Sequence, residues 1–182
     1  MDFGLGLLNG WIYVLIFGLI NLILMKIYPR HYTKRLFTLP TFTNARGKII
    51  SVVYAVMLNI TMIATCLLPI NSGMLFAVGT TVYIASIICV IAALYVYGQN
   101  VPSKPVTKGI YKISRHPQQV FTCFMFIGIG ILLANIFICV SGLLQLILLY
   151  PSMLAQEKFC IEKYGEDYEK YLLATPRYFL LF

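Results

Sequence analysis

The chain has 182 residues, of which 60% are hydrophobic and 11% are charged. Soluble domains carry about 25% charged residues, so this composition excludes an ordinary soluble enzyme. The formal net charge of +8 could suggest nucleic-acid binding, but the basic residues are confined to a few segments between long apolar runs. These features predict an integral membrane protein that does not bind nucleic acid.

In chain order, apolar segments predict five transmembrane helices at about residues 5–27, 49–70, 74–97, 117–134 and 136–150. Residues 49–103 and 116–156 contain no Asp, Glu, Lys or Arg. At about 20 residues per crossing, each of these stretches holds two spans joined by a short turn. We therefore predict an all-α integral membrane protein of one domain, 1–182, with two antiparallel helical hairpins.

The fourteen Lys and Arg residues lie in three segments, with six between positions 26 and 48, four between 104 and 115, and four after 157. These segments are alternate loops of a five-span chain, so the positive-inside rule predicts that they are cytoplasmic, with the N-terminus outside and the C-terminus inside. A basic face also suits anionic membrane lipids. No signal peptide, retention or targeting pattern is recognised, which favours a bacterial inner (plasma) membrane over the endoplasmic reticulum.

Beyond the fifth span the helix is expected to continue through SMLAQEKFCIEKYG to a C-cap at Gly165. A short amphipathic helix, EDYEKYLL, should follow and end before Pro176. At helical spacing, Glu157 falls in the middle of the apolar stripe. A carboxylate on that face is costly unless it meets a cation, either Arg115 or a cationic ligand. A purely structural Glu157 to Arg115 ion pair is the alternative.

The stretch GIYKISRHPQQVF, residues 109–121, precedes the fourth span. Pro117 fits the first turn of that span, because its missing N–H costs nothing there and its fixed φ favours helix entry. The free N–H groups of such a turn can bind an anion such as a ligand carboxylate, and Arg115 and His116 lie just ahead of it. The alternative is that the basic residues are topology anchors and that Tyr111 belongs to the aromatic belt.

The pattern G-x-Y-x-x-x-R-H-P, formed by Gly109, Tyr111, Arg115, His116 and Pro117, resembles the signature of the integral-membrane methyltransferases. These include isoprenylcysteine carboxyl methyltransferases and phospholipid N-methyltransferases. The later run EKFCIEKYGEDYEKYLLATPRY is also similar to theirs. The resemblance implies S-adenosylmethionine, held in a cytoplasmic part made of residues 101–119 and 152–182. It further implies methyl transfer to a lipidic or amphiphilic acceptor.

Carried over by position, the resemblance assigns cofactor binding to Val106, Tyr111, His116, Pro117, Gln118, Gln119, Gln156 and Glu157. From the chemistry of the residues we expect catalytic roles for Arg115, which would orient the cofactor or an anionic acceptor, and for Glu157, which would bind the cofactor ammonium. A helix N-terminus suits the cofactor carboxylate, and tyrosine rings suit its sulfonium and adenine. His116 as a general base is a weaker alternative. No metal site is expected.

The chain also departs from the family pattern. Gln119 and Phe121 stand where the family often has Tyr and Gly, and Gln156 replaces the first of two paired acids. Ser152 replaces an Arg that prenylcysteine enzymes associate with the acceptor, which argues against a prenylcysteine carboxylate as the substrate. The acceptor group, whether lipid amine, carboxylate or thiol, stays open, as does the oligomeric state.

Two other functions compete with methyl transfer. Sterol reductases have a similar R-H-P motif and a Tyr-rich tail and use NADPH, but they usually have more spans than this chain. A small membrane scaffold or transporter component, in which Arg115 and Glu157 only pair, is the non-catalytic alternative.

Overall fold

The structure is a computed structural model that describes residues 8–28, 45–70 and 72–179. The elements within these ranges are α1 Trp11–Ile27, α2 Ala45–Leu67, α3 Met74–Gln99, a 3-10 turn Gly109–Lys112, α4 Pro117–Leu132, α5 Ile136–Leu148, α6 Tyr150–Tyr164 and α7 Glu166–Ala174. An isolated β-bridge joins Asn9 and Pro69, and no β-strand lies within the described ranges. The all-α prediction is therefore confirmed, whereas most of the first basic segment, residues 29–44, lies outside the described residues.

Among the described residues, three helical segments are long and apolar enough to cross a membrane: α2, α3 and the run Ile136–Tyr164 that α5 and α6 form together. Helices α1 and α4, with 17 and 16 residues, are shorter apolar helices. Helix α2 exposes a row of aliphatic side chains, as a lipid-facing surface does: Val52, Val56, Ile60 and Ile63. Five crossings, and the orientation of the termini, stay predictions.

The first two helices differ from the predicted spans: α1 begins six residues later, and α2 begins four residues earlier and ends three residues earlier. Helix α1 begins at Trp11, because the residues before it pair with the segment after α2, where the Gly10 N–H donates to the Leu68 carbonyl over 3.0 Å. Helix α2 ends at Leu67 rather than at residue 70. The reason is Pro69, which disfavours helical backbone at the residue before it and has no N–H to continue the helix.

The turn between α4 and α5 is tight, as predicted. Helix α4 ends at Leu132, two residues earlier than expected, because Ala134 adopts a left-handed conformation with φ of 50°. Asn135 then caps α5, since its side chain accepts a hydrogen bond from the Ile138 N–H over 3.2 Å.

Helices α5 and α6 form one nearly continuous rod with a joint at Leu149. Pro151 causes the joint, because it has no N–H to donate to the carbonyl four residues earlier. Hydrogen bonding resumes when the Met153 N–H donates to the Leu149 carbonyl over 3.0 Å. The rod ends at Gly165, whose φ is 56° and whose N–H donates to the Ile161 carbonyl. The predicted extension of the fifth apolar helix and its glycine C-cap are confirmed.

Close packing of α3 against α4 fixes the position of α4. A Cβ atom added to Gly79 would lie 2.6 Å from the Gly128 carbonyl oxygen and would also collide with the Leu132 backbone nitrogen. Small residues at a crossing of membrane helices let the two backbones approach each other in this way. This contact fixes the second half of α4 against α3 and so sets the position of the helix.

Two contacts bring other helix ends to the same end of the bundle as the start of α4. The Tyr28 hydroxyl, just after α1, donates to the Tyr95 carbonyl near the end of α3 over 3.3 Å. Near the start of α2, the Ser51 and Ser152 hydroxyls are 2.8 Å apart, which joins α2 to α6. This end of the bundle carries the residues that the sequence predicts to be functional.

Candidate functional site

Helix α4 begins as the sequence predicts, with Pro117 buried in its first turn. The first hydrogen bond of the helix runs from the Val120 N–H to the His116 carbonyl over 3.1 Å. The amides of Gln118 and Gln119 therefore have no helical carbonyl to bond, as in the first turn of any helix. Ahead of them, the buried Ser114 hydroxyl accepts a hydrogen bond from the His116 N–H and fixes the helix entry.

The segment after α7 runs alongside this entry and is bonded to it at two points. The Arg115 N–H donates to the Pro176 carbonyl over 2.9 Å, and the Ser114 hydroxyl donates to the Arg177 carbonyl over 2.8 Å. Arg177 is thereby placed beside the start of α4, although it lies 60 residues further along the chain than Pro117.

Glu157 of α6 accepts hydrogen bonds at the centre of this arrangement. Arg177 donates two of them, from Nε to Oε1 over 2.9 Å and from Nη2 to Oε2 over 2.7 Å. Oε1 also lies 3.2 Å from His116 Nε2 and 3.4 Å from Arg115 Nη1. The Glu157 side chain is 6% exposed and that of Arg115 is 9% exposed. We call these four residues the Glu157 network, and it confirms that Glu157 faces the interior and meets Arg115.

The contacts determine the protonation states. A carboxylate between two guanidinium groups is stabilised in its ionised form, and an ionised carboxylate can only accept hydrogen bonds. His116 must therefore donate through Nε2, which leaves the lone pair on Nδ1. Burial lowers the pKa of His116, against the opposing effect of Glu157, so the imidazole is neutral near pH 7. The hydrogen bonds to Glu157 raise the pKa of Arg177.

The Glu157 network carries a net charge of +1, from two guanidinium groups, one carboxylate and a neutral imidazole. Within the described residues, the Nε of Arg115 is buried and has no hydrogen-bond partner. The same is true of Oε1 of Gln119, in the first turn of α4. Buried polar atoms without partners mark places where a ligand or a water molecule can bind.

A second group of residues, the tyrosine cluster, consists of Val106, Tyr111, Tyr168 and Tyr171. The Tyr171 hydroxyl donates to the Tyr111 carbonyl over 2.6 Å, and the rings of Tyr168 and Tyr171 have centroids 5.6 Å apart. Burial raises the pKa of Tyr168, and the charge of Glu157 adds to this effect. The tyrosine cluster joins the segment just before Arg115 to α7, which precedes Arg177, so it adjoins the Glu157 network at two places along the chain.

The structure thus brings most of the predicted residues to one end of the bundle. Arg115, His116 and Glu157 are in direct contact, while Val106 and Tyr111 belong to the tyrosine cluster. Pro117, Gln118 and Gln119 form the first turn of α4. Gln156 is half-buried on α6, and its side chain makes no hydrogen bond or ion pair to another residue in the described part of the chain.

Arg177 is the member of the Glu157 network that we did not predict from the sequence. It forms the shortest ion pair with Glu157, and its guanidinium carbon lies 5.1 Å from the centre of the Tyr150 ring. The available signal was the Pro176-Arg177 pair near the end of the second motif-like run. Ser152, by contrast, bonds to Ser51 of α2, so this position serves helix packing here.

Comparison with known proteins tests the resemblance. Residues 67–167, which are 101 of the 182, match the family model described as phospholipid methyltransferase. The matched region covers α3 to α6 and includes both Arg115 and Glu157. A search of curated proteins gives no significant match. Because the family model covers more than half of the chain, this protein belongs to the phospholipid methyltransferase family.

Proposed function

We propose that the chain transfers a methyl group from S-adenosylmethionine to a lipidic or amphiphilic acceptor at the cytoplasmic side of the membrane. Membership of the phospholipid methyltransferase family supports methyl transfer to a membrane lipid. The observation that carries the cofactor assignment is the buried Glu157 network at the start of α4, next to polar atoms that lack partners within the described residues.

The residues around the network fit the groups that the cofactor carries. The first-turn amides of Gln118 and Gln119 suit a carboxylate. Oε2 of Glu157 accepts one hydrogen bond from Arg177 and keeps a lone pair that can accept another from the cofactor ammonium. Oε1 of Gln119, which is buried and has no partner among the described residues, can accept a further hydrogen bond from the same ammonium. The rings of the tyrosine cluster suit the sulfonium and the adenine. We therefore assign cofactor binding to Val106, Tyr111, His116, Pro117, Gln118, Gln119, Gln156 and Glu157.

When bound, the cofactor supplies a methyl group that passes to a nucleophilic atom of the acceptor as the C–S bond breaks and its electron pair stays on sulfur. The chain's part is alignment and the exclusion of water. Arg115 would orient the acceptor, and Glu157 would hold Arg115 and His116 in place. If the acceptor is an amine, the lone pair on His116 Nδ1 would take the proton that the amine loses.

The test is calorimetric binding of S-adenosylhomocysteine and of NADPH to the protein in nanodiscs. We expect S-adenosylhomocysteine to bind to wild type and to Glu162→Ala, and to bind Glu157→Ala at least about 10-fold more weakly, a loss of about 1.4 kcal/mol. Glu162 is the matched control because it lies on the same helix with a side chain that is 64% exposed. Glu157→Gln, which keeps the side-chain size, covers the case in which the Ala variant does not fold.

If folded wild type does not bind S-adenosylhomocysteine, the proposal is wrong. Binding of NADPH instead would support a sterol-reductase-like enzyme. Binding of neither ligand would support a non-catalytic membrane scaffold or transporter component.

A further inference from the structure

We infer that Arg115 binds the phosphodiester group of the lipid acceptor. This inference rests on the proposed function, because it names the part of the acceptor that the site recognises. It starts from the charge of the Glu157 network, in which one cation has no matching anion.

Arg177 forms the closer ion pair with Glu157, because it donates a hydrogen bond to each carboxylate oxygen, over 2.9 and 2.7 Å. Arg115 contacts only Oε1, at 3.4 Å, which is longer than a charge-assisted hydrogen bond. In the described part of the chain no other carboxylate forms a salt bridge with Arg115, since Glu162 and Glu166 pair with lysines of their own helices. The surplus positive charge therefore lies on Arg115.

The free edge of this guanidinium suits an oxyanion. The Arg115 side chain is only 9% exposed, and its Nε is buried and has no hydrogen-bond partner among the described residues. A guanidinium presents Nε–H and one Nη–H in parallel, which matches two oxygens of a phosphate or carboxylate. The backbone of Arg115 is held by its hydrogen bond to the Pro176 carbonyl, so the side chain starts from a fixed point.

The position of Arg115 favours a lipid phosphate. It lies two residues before the first residue of α4, an apolar helix, and exposed Lys108 and Lys112 are nearby in sequence. Basic residues at the end of a membrane helix lie at the level of the lipid headgroups. Two anionic groups would enter the site, the carboxylate of the cofactor and the phosphodiester of a phospholipid acceptor. In the proposed function the first-turn amides of Gln118 and Gln119 bind the carboxylate, which leaves the phosphodiester for Arg115.

The test compares ligands that differ in one group, using wild type, Arg115→Gln and Lys112→Gln in detergent. Calorimetry measures the affinity for dihexanoyl-phosphatidylethanolamine, for dihexanoylglycerol, which lacks the phosphate, for inorganic phosphate and for S-adenosylhomocysteine. Lys112 is the matched control because it removes one exposed charge from the same segment. Arg115→Lys, which keeps the charge and loses the planar fork, is the second variant in case Arg115→Gln does not fold.

We expect Arg115→Gln to weaken phosphatidylethanolamine binding by about 10 to 100-fold and Arg115→Lys by less, with wild-type affinity in Lys112→Gln. The affinities for dihexanoylglycerol and S-adenosylhomocysteine should change less than about 3-fold. A loss confined to S-adenosylhomocysteine would show that Arg115 binds the cofactor carboxylate, and equally tight binding of inorganic phosphate would show that the site takes a free anion. Either result, or no change in any affinity, overturns the inference.

If phosphatidylethanolamine binds through Arg115 while wild type does not bind S-adenosylhomocysteine, the proposed function fails and the phosphate site stands.

Discussion

Replacing Glu157 by Gln should destabilise the protein strongly, although the two side chains have nearly the same shape. The substitution removes the negative charge that Arg177 contacts at 2.7 Å and Arg115 at 3.4 Å, and it leaves both guanidinium groups without their anion. Breaking a buried ion pair by removing one partner costs about 3–5 kcal/mol. Because the Gln carbonyl can still accept one hydrogen bond, we expect the lower end, about 3 kcal/mol.

Thermal unfolding in detergent, followed by circular dichroism, measures this effect. A loss of about 3 kcal/mol corresponds to a fall in Tm of about 6–12 °C for a chain of this size. Glu162→Gln is the control, since its ion pair with Lys158 is exposed and spans 4.0 Å, and it should change the stability by less than about 0.5 kcal/mol. If both variants unfold at the same temperature, the Glu157 network does not stabilise the fold and our argument is wrong.

Three further predictions concern packing, hydrogen bonding and pH. Gly79→Ala should lower the free energy of unfolding by about 2 kcal/mol or more, because the new Cβ would collide with the backbone of α4. Gly18→Ala, with open space around it, should be neutral or slightly stabilising. Unfolding titrations of the two variants measure the difference. Thr61→Val should lower the free energy of unfolding by about 1–2 kcal/mol in the same titration, since the Thr61 hydroxyl accepts a hydrogen bond from Nε2 of buried Gln145 over 3.3 Å. Thr81, which is exposed, gives the control, and an equal loss in Thr81→Val would contradict this reasoning. The free energy of unfolding should fall as pH drops below about 6.5, and His116 contributes at most about 1.4 kcal/mol per pH unit to this fall. The reason is that burial lowers the pKa of His116 in the folded chain, so the unfolded chain binds one more proton. His116→Asn should flatten that part of the pH profile, and an unchanged slope would refute the neutral state assigned to His116.

Much of the architecture follows from short-range rules that act on the sequence. Proline at the start of α4 and glycine at the end of α6 each fix a helix end through a local preference, and both are where the sequence analysis placed them. The inward orientation of Glu157 follows from helical periodicity alone, because a residue's face on a helix depends only on its spacing from its neighbours.

The features that were missed depend on long-range geometry. Nothing in the local sequence shows that Arg177 returns to the start of α4, because the hydrogen bond of Arg115 to Pro176 joins residues 61 positions apart. The early end of α2 was missed for a different reason. The apolar run continues through Leu67 and Leu68 to Ile70, and hydropathy does not register the backbone restriction that Pro69 imposes.

The attachment of the segment after α7 to the start of α4 makes the Glu157 network discontinuous in sequence. Its members come from three separate parts of the chain, Arg115 and His116, Glu157, and Arg177. Arg177 supplies the two shortest hydrogen bonds to the carboxylate. Removal of the residues from Pro176 onward would therefore keep every apolar helix and still leave the Glu157 carboxylate without the cation that contacts both of its oxygens. Cleavage of one short segment outside the apolar helices can thus disrupt the network while the helix bundle stays intact.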